Sequence, residues 1–242
     1  MLTTGLLLAA GAGSRLRGVA PYKPLCAVAG RALIDHALEG MAAAGLTRAV
    51  VSLGYGADAI AAHLAERRWP LAVAAVTTDW HQPNGVSALA ARAWIGDAGA
   101  VLAMCDHLVE PDHYRRLAEA GPGEGLTLGI DRRLGHPWVD PLDVTCVATA
   151  GDRIVGIGKG LAPHDCYDTG VFAVGPRFFD ALAGLENPSL TEGVRVLAAD
   201  GGARVVDCSD LAWIDVDDAP AEPAEDQDST DSPAPAAKSG KK

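Results

Sequence analysis

Near the start of a 242-residue chain, the apolar run Leu6-Leu7-Leu8 breaks into the small residues Ala9-Ala10-Gly11-Ala12-Gly13, followed by Ser14 and Arg15. A glycine turn at the end of a strand is a place to hold phosphate, and three chemistries compete for it. A Walker loop needs a lysine closing its second glycine, and none follows Gly18. A dinucleotide fingerprint needs a third glycine where Ser14, Arg15 and Leu16 stand, and an acid near Gly54 and Tyr55. The remaining chemistry is a turn whose small residues let the backbone approach a nucleotide while Arg15 reaches its phosphates. On these residues alone a plain strand-to-helix turn stays open.

The second set is acidic. Asp106 ends the apolar segment AVLAMCD, where a carboxylate needs a partner. Asp215 and Asp217 flank Val216, so a strand there puts both on one face. A magnesium ion bridging Asp106 to this pair would partner every carboxylate and shield phosphate charge. A helix cap at Asp106 and a strand end at Asp217 are the alternatives. His107 reads as a hydrogen-bonding neighbour, because magnesium prefers oxygen, and Cys105 as core.

The formal net charge of −11 excludes a basic non-specific nucleic-acid surface. An acidic protein that binds polyanions must concentrate positive charge locally or recruit a metal. Lysine usage points to where. Among 20 basic residues, lysine occurs in the body only at Lys23 and Lys159; Lys238, Lys241 and Lys242 lie in the tail. Pro24 fixes the backbone directly after Lys23. Five cysteines without a CxxC pair suit reduced thiols in the cytoplasm, and no apolar run is long enough to cross a bilayer.

These residues must be positioned by a scaffold, and the spacing predicts one. Leu6 to Leu8, RAVVSLG, LAVAAVTT and AVLAMCD read as buried strands. They alternate with helices over 32–44, around 57–67 and over 87–94. This rhythm predicts a largely parallel sheet with helices on both faces, and ligands beyond the strand ends. GLTLGID, VTCVAT, RIVGIG and TGVFAVG read as further short strands. The expected domain covers residues 1–219. From Pro220 to Lys242 the Pro-, Ala- and acid-rich composition predicts a disordered tail.

Several motifs taken together resemble a known family. AAGxGxRL followed by KPL is similar to the nucleotidyltransferases that activate sugar or alcohol phosphates. Asn84-Gly85-Val86-Ser87, MCDH, DRIVGIGKGL, YDTGVF and WIDVDD resemble the inositol-1-phosphate cytidylyltransferase branch, over roughly residues 3–218. The resemblance implies a Rossmann-like three-layer α/β/α fold (GT-A-like), with a mixed, mostly parallel central sheet. It implies CTP and inositol 1-phosphate as substrates, CDP-inositol and pyrophosphate as products, Mg2+ as cofactor, and a role in phospholipid synthesis.

By the same resemblance, Arg15 holds the β and γ phosphates, Lys23 the α-phosphate and Lys159 the incoming phosphate. Ala9, Ala10, Gly11, Gly13, Asn84, Gly85 and Ser87 contact the nucleotide. Asp168, Thr169 and Gly170 meet the acceptor, and Asp106, Asp215 and Asp217 hold the metal. Relatives often carry a fused membrane-embedded transferase. Here a soluble tail predicts a cytoplasmic protein with no membrane insertion, whose product passes to a separate membrane transferase. Gly158-Lys159-Gly160 replaces the EKP segment of sugar nucleotidyltransferases, Asp168 stands where they carry Asn, and Cys146 replaces an expected lysine. Phosphocholine, phosphoethanolamine or a sugar 1-phosphate are the alternative acceptors, and a non-catalytic nucleotide-binding regulator is the alternative class.

Overall fold

The computed structural model describes residues 1–18, 20–137 and 139–216. Asp217 and the expected tail from residue 220 onward lie outside the described residues. The strands are β1 (Thr4–Ala9), β2 (Ala27–Val28), β3 (Arg31–Ala32), β4 (Arg48–Leu53), β5 (Ala72–Thr77), β6 (Ala100–Met104) and β7 (His107–Val109). They continue with β8 (Leu126–Asp131), β9 (Thr145–Ala150), β10 (Arg153–Lys159), β11 (Cys166–Val174), β12 (Ala203–Asp207) and β13 (Trp213–Asp215). The helices are α1 (Leu33–Ala43), α2 (Ala57–Glu66), α3 (Asn84–Ala90), α4 (Arg92–Ile95), α5 (Pro111–Ala120), α6 (Pro176–Ala183) and α7 (Leu190–Ala199).

Nine strands form one sheet in the order β5-β4-β1-β6-β11-β8-β12-β10-β9. Its first half is parallel: β1 pairs with β4 and β6, and β4 with β5. That is the half that the β-α-β rhythm predicts. β12 is also parallel to β8, and every antiparallel pairing in this sheet involves β10 or β11. The sheet is therefore mixed. Alternation along β1 divides the core between the two faces. Leu7 and Ala9 pack with α1 and α5, whereas Leu6 and Leu8 pack with α3, α6 and α7.

α1 follows the predicted pattern, with Leu33, Ala37, Leu38 and Met41 all buried. The helix expected over 87–94 begins earlier, at Asn84, and is interrupted at Ala91 before α4. Three helices, α5, α6 and α7, lie before and after the strand-like segments, where the spacing predicts no element. α5 and α6 each start at a proline, a favoured first helical position. α7 starts with a capping box: the Ser189 hydroxyl accepts from the Glu192 amide.

Candidate active site

β1 and β6 are neighbours, so the glycine turn after β1 lies beside the residues that follow β6. The Cys105 amide donates to Leu8 O at 3.1 Å, carrying the adjacency past the end of β6. Lys23 is brought to the same place by the turn itself. Gly13 has φ +53°, and a Cβ there would lie 2.3 Å from the Lys23 Cβ, so the lysine stem packs directly on the glycine. Lys23 Nζ then donates to Asp106 Oδ2 at 2.7 Å.

The other oxygen of Asp106 is buried and has no hydrogen-bond partner. The antiparallel pair β7–β13 sets Asp215 opposite His107 and so beside Asp106. One donor atom from each of Asp106, His107 and Asp215 lies within 4.8 Å of the others. An unpartnered carboxylate oxygen beside a second carboxylate fits a hard divalent cation.

His107 is placed by three contacts. Its Nδ1 donates to Thr169 O at 3.0 Å, its Nε2 faces Asp215 Oδ2 at 3.5 Å, and its ring stacks on Trp213 at 6.1 Å. Burial pulls its pKa down, but the Asp215 hydrogen bond and the charges of Asp106, Asp215 and Asp168 outweigh it, and the pKa rises to about 9. The ring is thereby held as a partner of Asp215, beside the carboxylates of the possible metal group. Burial raises the Asp215 carboxyl, but His107 and Lys23 overcome it and hold it below the usual range. Trp213 in turn donates from Nε1 to Asp131, which Arg133 clamps.

These groups border a cavity of about 420 Å³. Of the residues expected from sequence, Arg15, Lys159, Asn84, Asp106, Asp168, Gly170 and Asp215 line it. Burial raises Asp168 to about pKa 6, and its Oδ1 accepts from the Gly170 amide at 2.7 Å. Gly170 also has φ +77° and leaves room for the His107 ring, 2.2 Å from where a Cβ would sit. Thr169 does not line the cavity. It is fully buried, its hydroxyl donates to Gly129 O, and it offers the cavity no polar group.

The nucleotide-binding expectations fall mostly outside this cavity. Ala9, Ala10 and Ser87 are buried, Gly11 is exposed, and the Gly85 amide donates to Pro188 O. Asn84 Oδ1 accepts from the Leu190 amide and ties α3 to α7. Tyr55 donates its amide to Ala10 O, and its ring packs edge-on against Trp80, giving the turn an aromatic flank. Cys105 is core, its thiol pushed up by burial.

Asp143, Asp140, Thr191 and Trp213 line the cavity without having been expected there. Trp213 lay within a recognised motif. Asp143 and Asp140 sit in a loop with no periodicity to mark them, and only tertiary structure brings them in.

The comparisons with known proteins follow this geometry. Residues 5–154 match the family described as the MobA-like NTP transferase domain. A bifunctional IPC transferase and DIPP synthase from Rubrobacter xylanophilus is 36% identical over 219 residues, covering 87% of this chain and 48% of its own length. One from Aquifex aeolicus is 28% identical, covering 90% and 49%. The chain spans about half the length of these curated relatives. The inositol-1-phosphate CTP transferase from T. maritima superposes with a TM-score of 0.81 over 90% of both chains at 21% identity, a likeness of fold. No helix among the described residues is long and apolar enough to cross a membrane. The family match takes in the glycine turn, Lys23 and Asp106 and runs through more than half of the sequence, and the chain belongs to the MobA-like NTP transferase domain family.

Proposed function

We propose that this chain transfers a cytidylyl group from CTP to inositol 1-phosphate, giving CDP-inositol and pyrophosphate for phospholipid synthesis. The observation that carries the reading is Asp106, paired with Lys23 and keeping a spare carboxylate oxygen, on a cavity that Arg15 and Lys159 also line. Cations for a polyphosphate and acids for a divalent ion meet at one cavity, as nucleotidyl transfer requires.

In this reading a phosphate oxygen of inositol 1-phosphate attacks the α-phosphorus of CTP. The bond from that phosphorus to the oxygen bridging the β-phosphate breaks, and pyrophosphate leaves with the electron pair. The acceptor phosphate is already ionised, so no general base is needed. Arg15 binds the β and γ phosphates and Lys23 the α-phosphate, while Lys159 draws in the acceptor against its charge repulsion. Asp106 and Asp215, with Asp217, would hold Mg2+, which when bound neutralises charge on the triphosphate. His107 keeps Asp215 ionised and oriented.

The nucleotide lies along the Ala9-Ala10-Gly11-Gly13 turn and the Asn84-Gly85-Ser87 segment. Asp168 and the Gly170 backbone face the polyol. A membrane-embedded transferase consumes the product. Phosphorus NMR of the protein with Mg2+, CTP and inositol 1-phosphate tests the reading. New resonances for pyrophosphate and for a diphosphate diester support it, and an unchanged CTP spectrum contradicts it.

A further inference from the structure

The connection from β8 to β9, residues 132–144, passes along the cavity, and Asp140 and Asp143 both line it. Asp140 builds the turn that presents Asp143. Its Oδ1 accepts from the Leu142 amide, and its carbonyl accepts from the amides of Asp143 and Val144. Asp143 Oδ2 accepts from Arg15 Nη1 at 3.0 Å, and Oδ1 accepts from Lys159 Nζ. The two cations are 55% and 61% exposed, whereas Asp143 is 19% exposed. One largely buried carboxylate thus spans two exposed cations, one in the turn after β1 and one at the end of β10.

We infer that Asp143 is a counter-ion lock on the two phosphate-binding cations, which the triphosphate must displace before both substrates can bind productively. The inference rests on the proposed function for the roles of Arg15 and Lys159. Asp143 takes an N–H of each cation, and a phosphate seeks the same two positive charges, so the two anions compete. Because one side chain holds both cations, a triphosphate that turns Asp143 out of the bridge at Arg15 frees Lys159 as well. The nucleotide therefore prepares the acceptor site, a coupling between two ligands through one shared element. The lock also keeps two neighbouring positive side chains from repelling each other in the resting protein.

The test uses the full chain with Mg2+ and the non-transferable analogue α,β-methylene CTP, followed by calorimetry. Asp143→Asn is expected to tighten analogue binding about tenfold, an ordinary size for such a coupling. Asp140→Asn keeps the turn's acceptor and removes a charge from the same wall, and is expected to tighten binding much less. In an Arg15→Ala, Lys159→Ala background the effect of Asp143→Asn should vanish. In the wild type the analogue should also tighten binding of inositol 1-phosphate, and Asp143→Asn should remove that gain.

Equal effects of the two Asn variants, or an effect that persists without the two cations, overturn the lock. Absence of any gain for inositol 1-phosphate in the wild type overturns the coupling. If Arg15→Ala alone leaves analogue binding unchanged, the assignment of Arg15 to the triphosphate has failed and the lock falls with it. If Arg15→Ala weakens binding while Asp143→Asn does not tighten it, the lock alone fails.

Discussion

Lys23 Nζ lies 2.7 Å from Asp106 Oδ2, joining a residue beside the first glycine turn to one at the end of the fourth strand of the parallel half-sheet. The pair places a cation for phosphate and an acid for a metal at one point, so removing the acid should affect both. Asp106→Asn is expected to lower turnover at least about 10²-fold. It keeps the shape of the side chain, and the melting temperature should move by only a few degrees. Initial rates and thermal unfolding check this. Near-normal turnover removes Asp106 from the chemistry.

Lys159 ends β10 and lines the cavity. If it serves the incoming phosphate, Lys159→Ala should reduce kcat about 10²-fold while the Kd for CTP changes less than about threefold. Steady-state kinetics together with nucleotide titration separate the two effects. Equal losses in both assign Lys159 to the nucleotide instead.

Gly170 combines φ +77° with a neighbour 2.2 Å from its missing Cβ, the Nδ1 of His107. Gly170→Ala must therefore strain the backbone or move the ring that orients Asp215. A stability loss of at least about 2 kcal/mol is expected, together with a fall in turnover. Urea unfolding measures the first. A wild-type midpoint would mean that the ring shifts freely and that its placement is not tightly set.

His113 on α5 is fully buried with neither ring nitrogen hydrogen-bonded. Burial depresses its pKa to about 4, against raising influences from Glu110 and Asp210 and a lowering one from Arg116. The folded state thus resists a proton that the unfolded chain accepts near pH 6.5. The corresponding stability is complete above pH 6.5 and is lost as pH falls toward 4, by on the order of 2–3 kcal/mol. Urea midpoints from pH 7.5 to 4.5 should fall more steeply in the wild type than in His113→Leu. Parallel slopes contradict the assignment.

The sequence carried most of the parallel half-sheet, because β1, β4 and β6 are mostly buried apolar runs and β5 is an apolar edge run, separated by clear helix periods. It did not carry α5 to α7, whose short amphipathic patterns flank the strand-like segments and are marked mainly by a first-turn proline or a capping serine. The site shows the same division. Lys23, Asp106, Lys159 and Asp215 stand at strand ends or in motifs that a linear reading can isolate. The Asp143 bridge joins residues 128 positions apart, and nothing in local spacing encodes it. Thr169 shows the reverse case: it lies within the YDTGVF motif, but its hydroxyl donates to Gly129 O and it does not line the cavity. Asp168 and Gly170 flank it on the cavity side.

The measurement that tests the central claim most directly is pyrophosphate release with Mg2+ across a panel of substrates. CTP, UTP, GTP and ATP are each paired with inositol 1-phosphate, phosphocholine and glucose 1-phosphate. The account predicts turnover with CTP and inositol 1-phosphate, and at most a small fraction of that rate with any other pair. Preferred turnover with a different pair, or no pyrophosphate release from any of them, contradicts it.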